Sequence, residues 1–201
     1  MSKERTLKEI MSEKENDFSL IRRFNEGDEA SFNLLIRRYQ QKIYWHARKM
    51  SGNHMDADEI VQEVMLVLYK SLKSFKFRSS FSTWLYRIIT TRTLNFLKKR
   101  RLKEIFSINS DGENAFFGQE NIARDQTDLE KDLENREKLN ILDIVLRELP
   151  SKQREIFIMR HFDEMSYEEI SEITGKSVGG LKANYHHAFA KVNEIMSKKY
   201  V

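Results

Sequence analysis

Apolar residues in the first half of the chain recur every three or four residues, which is the period of an amphipathic α-helix. One such run extends from Phe32 to Met50. Asp28 can cap the start of this helix, and Gly52 can end it. Two further helices are predicted, one opening after Asp56 and one running from Thr83 to about Arg101. Together these three helices predict a compact N-terminal helical domain.

The apolar period is lost in the middle of the chain and returns in its last third. Residues 102–136 show no sustained apolar repeat, which is typical of a flexible linker. The pattern resumes at Leu142, and Pro150 ends that helix because it cannot continue the backbone hydrogen bonding. Three more helices are predicted: Lys152 to about Phe162, Tyr167 to about Thr174, and Val178 to about Met196.

The sequence therefore predicts an all-α protein with two small helical domains joined by a flexible linker. With 7 glycines and 1 proline in 201 residues, the chain has few of the turns that an all-β protein needs. The predicted segments are an N-terminal lead at 1–17 with no assigned role, a first domain at 18–101, the linker at 102–136, and a second domain at 137–201.

Composition and charge narrow the function further. The absence of cysteine excludes disulfides and fits a reducing cytoplasm. Neither a signal peptide nor a membrane-spanning run is predicted. The net charge is +4, but its distribution is uneven. Residues 86–101 contain basic and no acidic side chains, whereas 102–140 are predominantly acidic. A basic block beside an acidic one indicates a surface for a polyanion.

The C-terminal segment contains a predicted helix-turn-helix. Ser166 and Glu169 have the spacing of a capping box, Gly175 can adopt the left-handed conformation of the turn, and Ser177 can cap the second helix. The outward side of that second helix presents Lys182, Ala183, His186, His187 and Ala190. Such a helix fits the major groove of DNA. An ordinary helical hairpin explains the same pattern, and the adjacent histidines diverge too far on a helix to predict a metal site.

A segment of the first domain mixes aromatic and basic residues. Phe75, Phe77, Phe81, Trp84, Tyr86 and Phe96 lie among lysines and arginines. Single-stranded nucleic acid is bound by this combination, since bases stack on aromatic rings and phosphates meet cations. A loop from Lys76 to Ser82 could supply the walls of a base pocket. About half of these aromatic rings are nevertheless expected to be buried core residues.

An acidic face is predicted on the second helix, where Asp58 and Gln62, and Glu59, Glu63 and Leu66, lie opposite the apolar side. No nucleophile with its base, metal triad or phosphate loop accompanies these carboxylates. A solvated face or a protein-docking face is therefore favoured over acid–base catalysis.

Taken in order, these segments resemble the sigma factors of bacterial RNA polymerase, in particular the two-domain extracytoplasmic-function (ECF) type. The first domain resembles region two through DADEIVQEVMLVLYKSLKSFKFRSSFSTWLYRII. The second resembles region four through LRELPSKQREIFIMRHFDEMSYEEISEITGKSVGGLK. The resemblance implies a cytoplasmic transcription-initiation factor that is not an enzyme and needs no cofactor or metal. Its implied partners are core RNA polymerase and promoter DNA, and it makes an anti-sigma protein plausible.

The resemblance also implies roles for particular residues. The acidic face would dock on the clamp helices of the polymerase's largest subunit, through Asp58, Glu59, Gln62 and Glu63. The loop and third helix would recognise and melt the −10 element on the nontemplate strand, through Phe75, Lys76, Arg78, Ser79, Ser80, Phe81, Trp84, Arg87, Thr91, Asn95 and Lys98. The recognition helix would read the double-stranded −35 element, through Ser177, Lys182, Ala183, His186, His187 and Lys191.

Some positions depart from the family's pattern. Thr91 stands where many members have Asn, and the recognition helix has Asn184 and His187 where arginines are usual. We therefore expect an unusual −35 preference. The alternatives are a stand-alone helix-turn-helix regulator that binds DNA without polymerase, and a sigma mimic that binds only a protein. A mimic leaves the basic run from Lys98 to Arg101 unexplained.

Overall fold

The structure, a computed structural model, describes residues 16–110 and 141–200, and all regular structure in these ranges is helical. The prediction of an all-α fold is confirmed. The first range contains α1 (Asp17–Asn25), α2 (Glu29–Ser51), α3 (His54–Ser71), a 3₁₀ turn (Leu72–Ser74) and α4 (Phe81–Ser110). The second contains α5 (141–147), α6 (Ser151–His161), α7 (Tyr167–Thr174) and α8 (Val178–Tyr200). Within these ranges no helix is long and apolar enough to cross a bilayer.

The predicted helix ends of α2 are confirmed. The Asp28 side chain accepts a hydrogen bond from the backbone N–H of Ala30 at 3.0 Å, and Gly52 ends the helix with a φ of 83°. A left-handed φ favours glycine because it has no Cβ to clash. Helix α3 begins earlier than predicted, at His54, because Asn53 rather than Asp56 is its cap; Asn53 accepts from the Asp56 N–H at 2.8 Å.

Helix α1 was not predicted. Asn16 caps it by accepting from the Phe18 N–H at 3.0 Å, and the helix buries Leu20, Ile21 and Phe24. A helix of nine residues shows little more than two turns of apolar repeat, and it is stable only through tertiary packing. The sequence does contain a signal for this helix: Asn16, a residue type that favours the N-cap, comes shortly before the apolar residues.

Helix α4 is longer at both ends than the predicted 83–101. Ser80 caps its start by accepting from the Thr83 N–H at 3.0 Å. The helix continues nine residues past Arg101 to Ser110, so the predicted end of this helix at about Arg101 is wrong. Leu102, Lys103 and Glu104 are good helix formers, and Arg100 pairs with Glu104 one turn away at 3.0 Å. The remaining linker residues, 111–136, lie outside the described residues.

The two halves of the chain share one hydrophobic core. Buried residues of α2, α3 and α4 form a single cluster with Ile156, Met159, Met165, Ile170, Ile173 and Leu181 from the second half. A separate cluster lies inside the second half around Val145, Leu149 and Phe157. We call this packing of the second half against the first the closed arrangement.

Candidate nucleic-acid interface

The predicted acidic face is exposed on α3. Asp58, Glu59 and Gln62 are exposed and Glu63 is half-buried. None of the three carboxylates has a hydrogen bond or ion pair among the described residues. The same helix side also exposes Met55 (76%), Leu66 (60%) and Tyr69. Sequence reasoning noted Leu66 but missed the other two, although Met55 lies four residues before Glu59 and Tyr69 lies three residues after Leu66. We call Met55, Glu59, Gln62, Leu66 and Tyr69 the α3 stripe.

The loop between α3 and α4 is anchored by aromatic packing. The Phe75 ring is buried and lies 5.1 Å from the Trp84 ring, and the Phe77 ring meets the Phe18 ring of α1 edge-on at 5.3 Å. Phe77 has a φ of 56°, a left-handed conformation that is uncommon for a residue with a side chain. The ring contacts hold this backbone in place, so the unpredicted helix α1 is part of what shapes the loop.

Three of the six aromatic residues of this segment, Phe75, Phe81 and Tyr86, are buried. The expectation that about half are structural is confirmed. Phe75 and Phe81 therefore have no free ring face for a base in the closed arrangement. Exposed polar side chains surround them instead: Lys76, Arg78 and Ser80, with Ser79 half-buried. The Ser80 hydroxyl is also within 2.8 Å of the Thr83 hydroxyl.

One side of α4 continues from this loop as an exposed strip. Arg87, Thr91, Asn95 and Lys98 are exposed, and Trp84 is half-buried at the start of the same side. The spacing of three and four residues puts them on a single helix face. We call these five residues the α4 strip. Two of them are already hydrogen-bonded: the Thr91 hydroxyl donates to the Arg87 carbonyl at 2.7 Å, and the Arg87 guanidinium donates to the Glu172 carbonyl of α7, in the second half of the chain, at 3.0 and 2.7 Å.

The helix-turn-helix has the predicted caps. Ser166 and Glu169 form both hydrogen bonds of a capping box, and Gly175 has a φ of 70°. The Ser177 hydroxyl accepts from the Gly180 N–H at 3.2 Å at the start of α8. The predicted reading residues are all exposed: Ser177, Lys182, Ala183, His186, His187 and Lys191.

Two of these cations touch other groups of the second half. The Lys182 ammonium lies 5.7 Å from the centre of the Tyr167 ring, and the Lys191 ammonium donates to the Glu148 carbonyl at 2.8 Å. The His186 and His187 rings are 6.3 Å apart. Within residues 16–110 and 141–200, no group of three or more His, Cys, Asp or Glu side chains is arranged to hold a metal.

Polar contacts reinforce the closed arrangement. The His46 Nδ1 atom lies 2.8 Å from an Asp163 carboxylate oxygen, and Arg48 pairs with Asp143 at 2.7 Å. Glu155 is only 2% exposed between the two halves, and one of its carboxylate oxygens has no hydrogen-bond partner. Burial raises the pKa of Glu155 to about 6 and outweighs the opposite effect of His46.

These features define a helical protein that combines a helix-turn-helix with a second surface of basic and aromatic residues. Two family models match it: "Sigma-70 region 2" over residues 35–103 and "Sigma-70, region 4" over residues 139–192. The chain belongs to the RNA polymerase sigma factors of the ECF type, and it directs RNA polymerase to promoters.

Curated relatives match over nearly their whole length. The chain is 30% identical over 166 residues to the ECF RNA polymerase sigma factor SigW of Bacillus subtilis, covering 83% of this chain and 89% of the relative. It is 33% identical over 181 residues to the ECF RNA polymerase sigma-E factor of Haemophilus influenzae, covering 89% and 94%.

Two solved structures share the fold. CnrH in complex with the cytosolic domain of CnrY has a TM-score of 0.67 at 19% identity, covering 90% of this chain and 97% of that one. The sigma factor RpoE in complex with the anti-sigma factor NepR, from Bartonella quintana, has a TM-score of 0.65 at 22% identity, covering 83% and 96%.

Proposed function

We propose that this sigma factor acts through three separate surfaces. The α3 stripe, with Asp58 and Glu63 beside it, binds core polymerase. The loop and the α4 strip bind the nontemplate strand of the −10 element and promote its melting, and the outward side of α8 reads the −35 duplex. The observation that carries the proposal is the α4 strip: exposed cationic, hydroxyl and amide side chains follow a half-buried tryptophan on one helix face, continuous with a basic loop.

The composition of the α3 stripe supports docking on a helical protein surface. Met55 and Leu66 are apolar but exposed, which is unfavourable in water and is typical of a binding surface. Glu59 and the neighbouring Asp58 carry charges that are unpaired among the described residues. Apolar residues every three or four positions flanked by carboxylates suit packing against another helix that carries basic residues. The clamp helices of polymerase are the proposed partner.

The chemistry of the loop and α4 strip supports single-strand binding. Lys76 and Arg78 are exposed cations that can meet phosphates, and Thr91 and Asn95 can donate hydrogen bonds to exposed base edges. We assign Phe75 and Phe81 a supporting role, because their buried rings hold the loop in shape. Trp84, which is half-buried at the head of the strip, is the ring best placed to stack on a base.

In the closed arrangement, part of the surface that we assign to the promoter is covered by the second half of the chain. Two hydrogen bonds of Arg87 are occupied by the Glu172 carbonyl, so α7 lies beside the strip that we assign to the −10 strand. We infer that the two halves separate when polymerase and promoter bind. The −10 strand would then replace α7 on the α4 strip.

We assign the chemistry of RNA synthesis to the polymerase and no catalytic step, metal or cofactor to this chain. The cytoplasm, where polymerase and chromosome meet, is the proposed location. An anti-sigma factor is a proposed regulator, since the RpoE structure with this fold was solved with one. Its binding surface on this chain is not assigned.

Run-off transcription with purified bacterial core polymerase and a pool of genomic fragments tests the proposal. We expect discrete start sites only when this protein is added. The double variant Asp58→Ala with Gln62→Ala should lose most initiation and most polymerase co-purification, because both removed groups lie on the docking face. The matched variant Gln40→Ala with Gln41→Ala, at exposed sites on α2, should behave as the unmodified chain.

Two outcomes would contradict the proposal. Unchanged polymerase binding by the Asp58 and Gln62 double variant would refute the docking face. Absence of any start site, with DNA binding but no polymerase co-purification, would instead favour a stand-alone helix-turn-helix regulator. The salt dependence of binding distinguishes a DNA-binding protein from a protein mimic. Binding through several phosphates weakens steeply as ionic strength rises, whereas the protein contact of a mimic need not.

A further inference from the structure

A cleft of about 640 Å³ lies between the two halves of the chain, and its walls are strongly basic. Residues 94–104, in the second half of α4, form one wall, and the segment from Arg147 to Arg154 forms the other. Six cationic side chains line it, against the single carboxylate of Glu104: Lys98, Arg100, Arg101, Arg147, Lys152 and Arg154. The volume falls within the range of small-molecule sites.

The start of α6 adds a further positive end to this cleft. Pro150 occupies the N-cap position and no side chain caps the helix. Pro150, Ser151 and Lys152 all line the cleft. The first backbone N–H groups of a helix have no partner within the helix and carry the positive end of its dipole, so they bind anions.

Arg154 is a buried cation without a counter-charge in the part of the chain that the structure describes. It is 8% exposed, and its guanidinium donates only to backbone carbonyls: Met50 at 2.6 Å, Arg147 at 2.9 Å and Leu149 at 3.1 Å. Its Nε atom is buried and has no partner. Burial, with a smaller effect of Arg147, lowers the pKa of Arg154 to about 10. Buried charges are normally paired, so this arrangement favours a bound anion.

The other cations leave a surplus of positive charge. Arg100 pairs with Asp56 and Glu104, and Arg147 donates to the Gly52 carbonyl. Lys98, Arg101 and Lys152 are exposed and have no ion pair among residues 16–110 and 141–200. The closed arrangement brings these charges together from both halves, and their mutual repulsion opposes it.

We propose that the cleft between the second half of α4 and the start of α6 binds a small molecule that carries a polyphosphate group, and that this ligand stabilises the closed arrangement. A chain of phosphates concentrates several negative charges in a small volume and matches arginine forks, lysines and helix N–H groups at once. Because cations from both halves contact the same ligand, separating the halves weakens its binding. Binding is therefore coupled to closure. This inference does not rest on the proposed function.

Isothermal titration of the full chain with inorganic tripolyphosphate is the first test, with sulfate at matched ionic strength as a reference. We expect saturable one-to-one binding of tripolyphosphate that sulfate does not reproduce. The double variant Arg101→Glu with Lys152→Glu changes one exposed residue on each wall and should weaken binding at least about tenfold. The matched variant Arg37→Glu with Lys42→Glu reverses two exposed charges outside the cleft and should bind almost normally.

Further arms define the ligand and the coupling. Titration with adenosine triphosphate tests whether a nucleotide binds more tightly than tripolyphosphate. Tighter binding would show that the site also contacts the base, and equal binding would assign recognition to the phosphates alone.

The coupling to closure is tested with a distance measurement. The chain has no cysteine, so Gln41→Cys with Asn193→Cys gives a single pair of exposed labelling sites on α2 and α8. Tripolyphosphate should increase the short-distance population measured between these labels.

Three results would overturn the proposal. One is failure of both tripolyphosphate and adenosine triphosphate to bind. The second is equal binding by the cleft variant and the matched variant, with both folded by circular dichroism. The third is a ligand that binds without changing the distance distribution, which would refute the coupling to closure.

Discussion

Replacing Glu155 by glutamine is expected to stabilise the folded protein at neutral pH. Glu155 lies on α6 and is almost completely buried against the first half of the chain. The groups that act on its carboxylate come from several elements: His46 of α2, Thr90 of α4, Lys176 of the turn before α8, and Lys152 of α6. All of these favour the charged form, but burial opposes it more strongly and raises the pKa.

The size of the effect follows from the pKa. It rises from an ordinary 4.5 to about 6 in the folded protein, and a tenfold change in proton affinity corresponds to about 1.4 kcal/mol. The ionised carboxylate therefore costs the folded state about 2 kcal/mol at neutral pH. Below the unfolded pKa, Glu155 is protonated in both states and the cost is absent. The cost grows as pH rises from 4.5 to about 6 and is complete above that.

Urea unfolding of the unmodified chain and of Glu155→Gln, from about pH 4 to about pH 8, measures this difference. We expect the variant to gain about 2 kcal/mol near neutrality and nothing near pH 4. Glu168→Gln, which neutralises an exposed carboxylate on α7, is the matched control and should change little at any pH. Equal unfolding free energies at neutral pH, or a gain that persists unchanged at pH 4, would refute the reasoning.

Three shorter predictions concern the helix-turn-helix. Lys182→Ala with His186→Ala should alter which −35 sequences are bound, and selection from a randomised duplex library by the sigma–polymerase complex measures this; an unaltered preference would contradict our reading face. Gly175→Ala should lower the free energy of unfolding by about 1 kcal/mol because φ is positive there, whereas Gly179→Ala in the open first turn of α8 should raise it by up to about 1 kcal/mol. Ser166→Ala removes the cap of α7 and should cost about 1 kcal/mol in the same urea titration, and an unchanged midpoint would show that the cap is dispensable.

Local features of this protein could be predicted from sequence because their causes are local. The Asp28 cap, the Gly52 and Gly175 turns and the capping box at Ser166 each depend on residues at most a few positions apart, and all were placed correctly. The outward residues of α3 and α8 follow from helical periodicity in the same way. Helix α1 was missed because its short apolar face is informative only once the loop that it packs against is known.

The closed arrangement could not be predicted, because its contacts join residues that are distant in sequence and unremarkable alone. His46 and Asp163 are separated by 117 positions, and nothing near either residue indicates that they meet. Arg154 looks like a surface cation of an amphipathic helix, yet it is buried against the end of α2. The basic cleft shares this origin, since its two walls belong to different halves of the chain.

The shared core also bears on how promoter binding is controlled. Ile156, Met159 and Ile170 are fully buried in the cluster that joins the two halves, and re-exposing one such side chain costs about 1.5–3 kcal/mol. Separation of the halves therefore requires contacts that replace those lost. Polymerase bound at the α3 stripe, as we propose, would leave the closed contacts untouched, whereas a −10 strand bound at the α4 strip would displace α7, whose Glu172 carbonyl accepts from Arg87. A ligand that favours separation of the two halves raises the affinity of every other ligand that binds only the separated form, and a ligand that favours closure lowers it. Promoter DNA and an anion held in the basic cleft are then expected to oppose each other, whereas polymerase docked at the α3 stripe alone does not shift this balance.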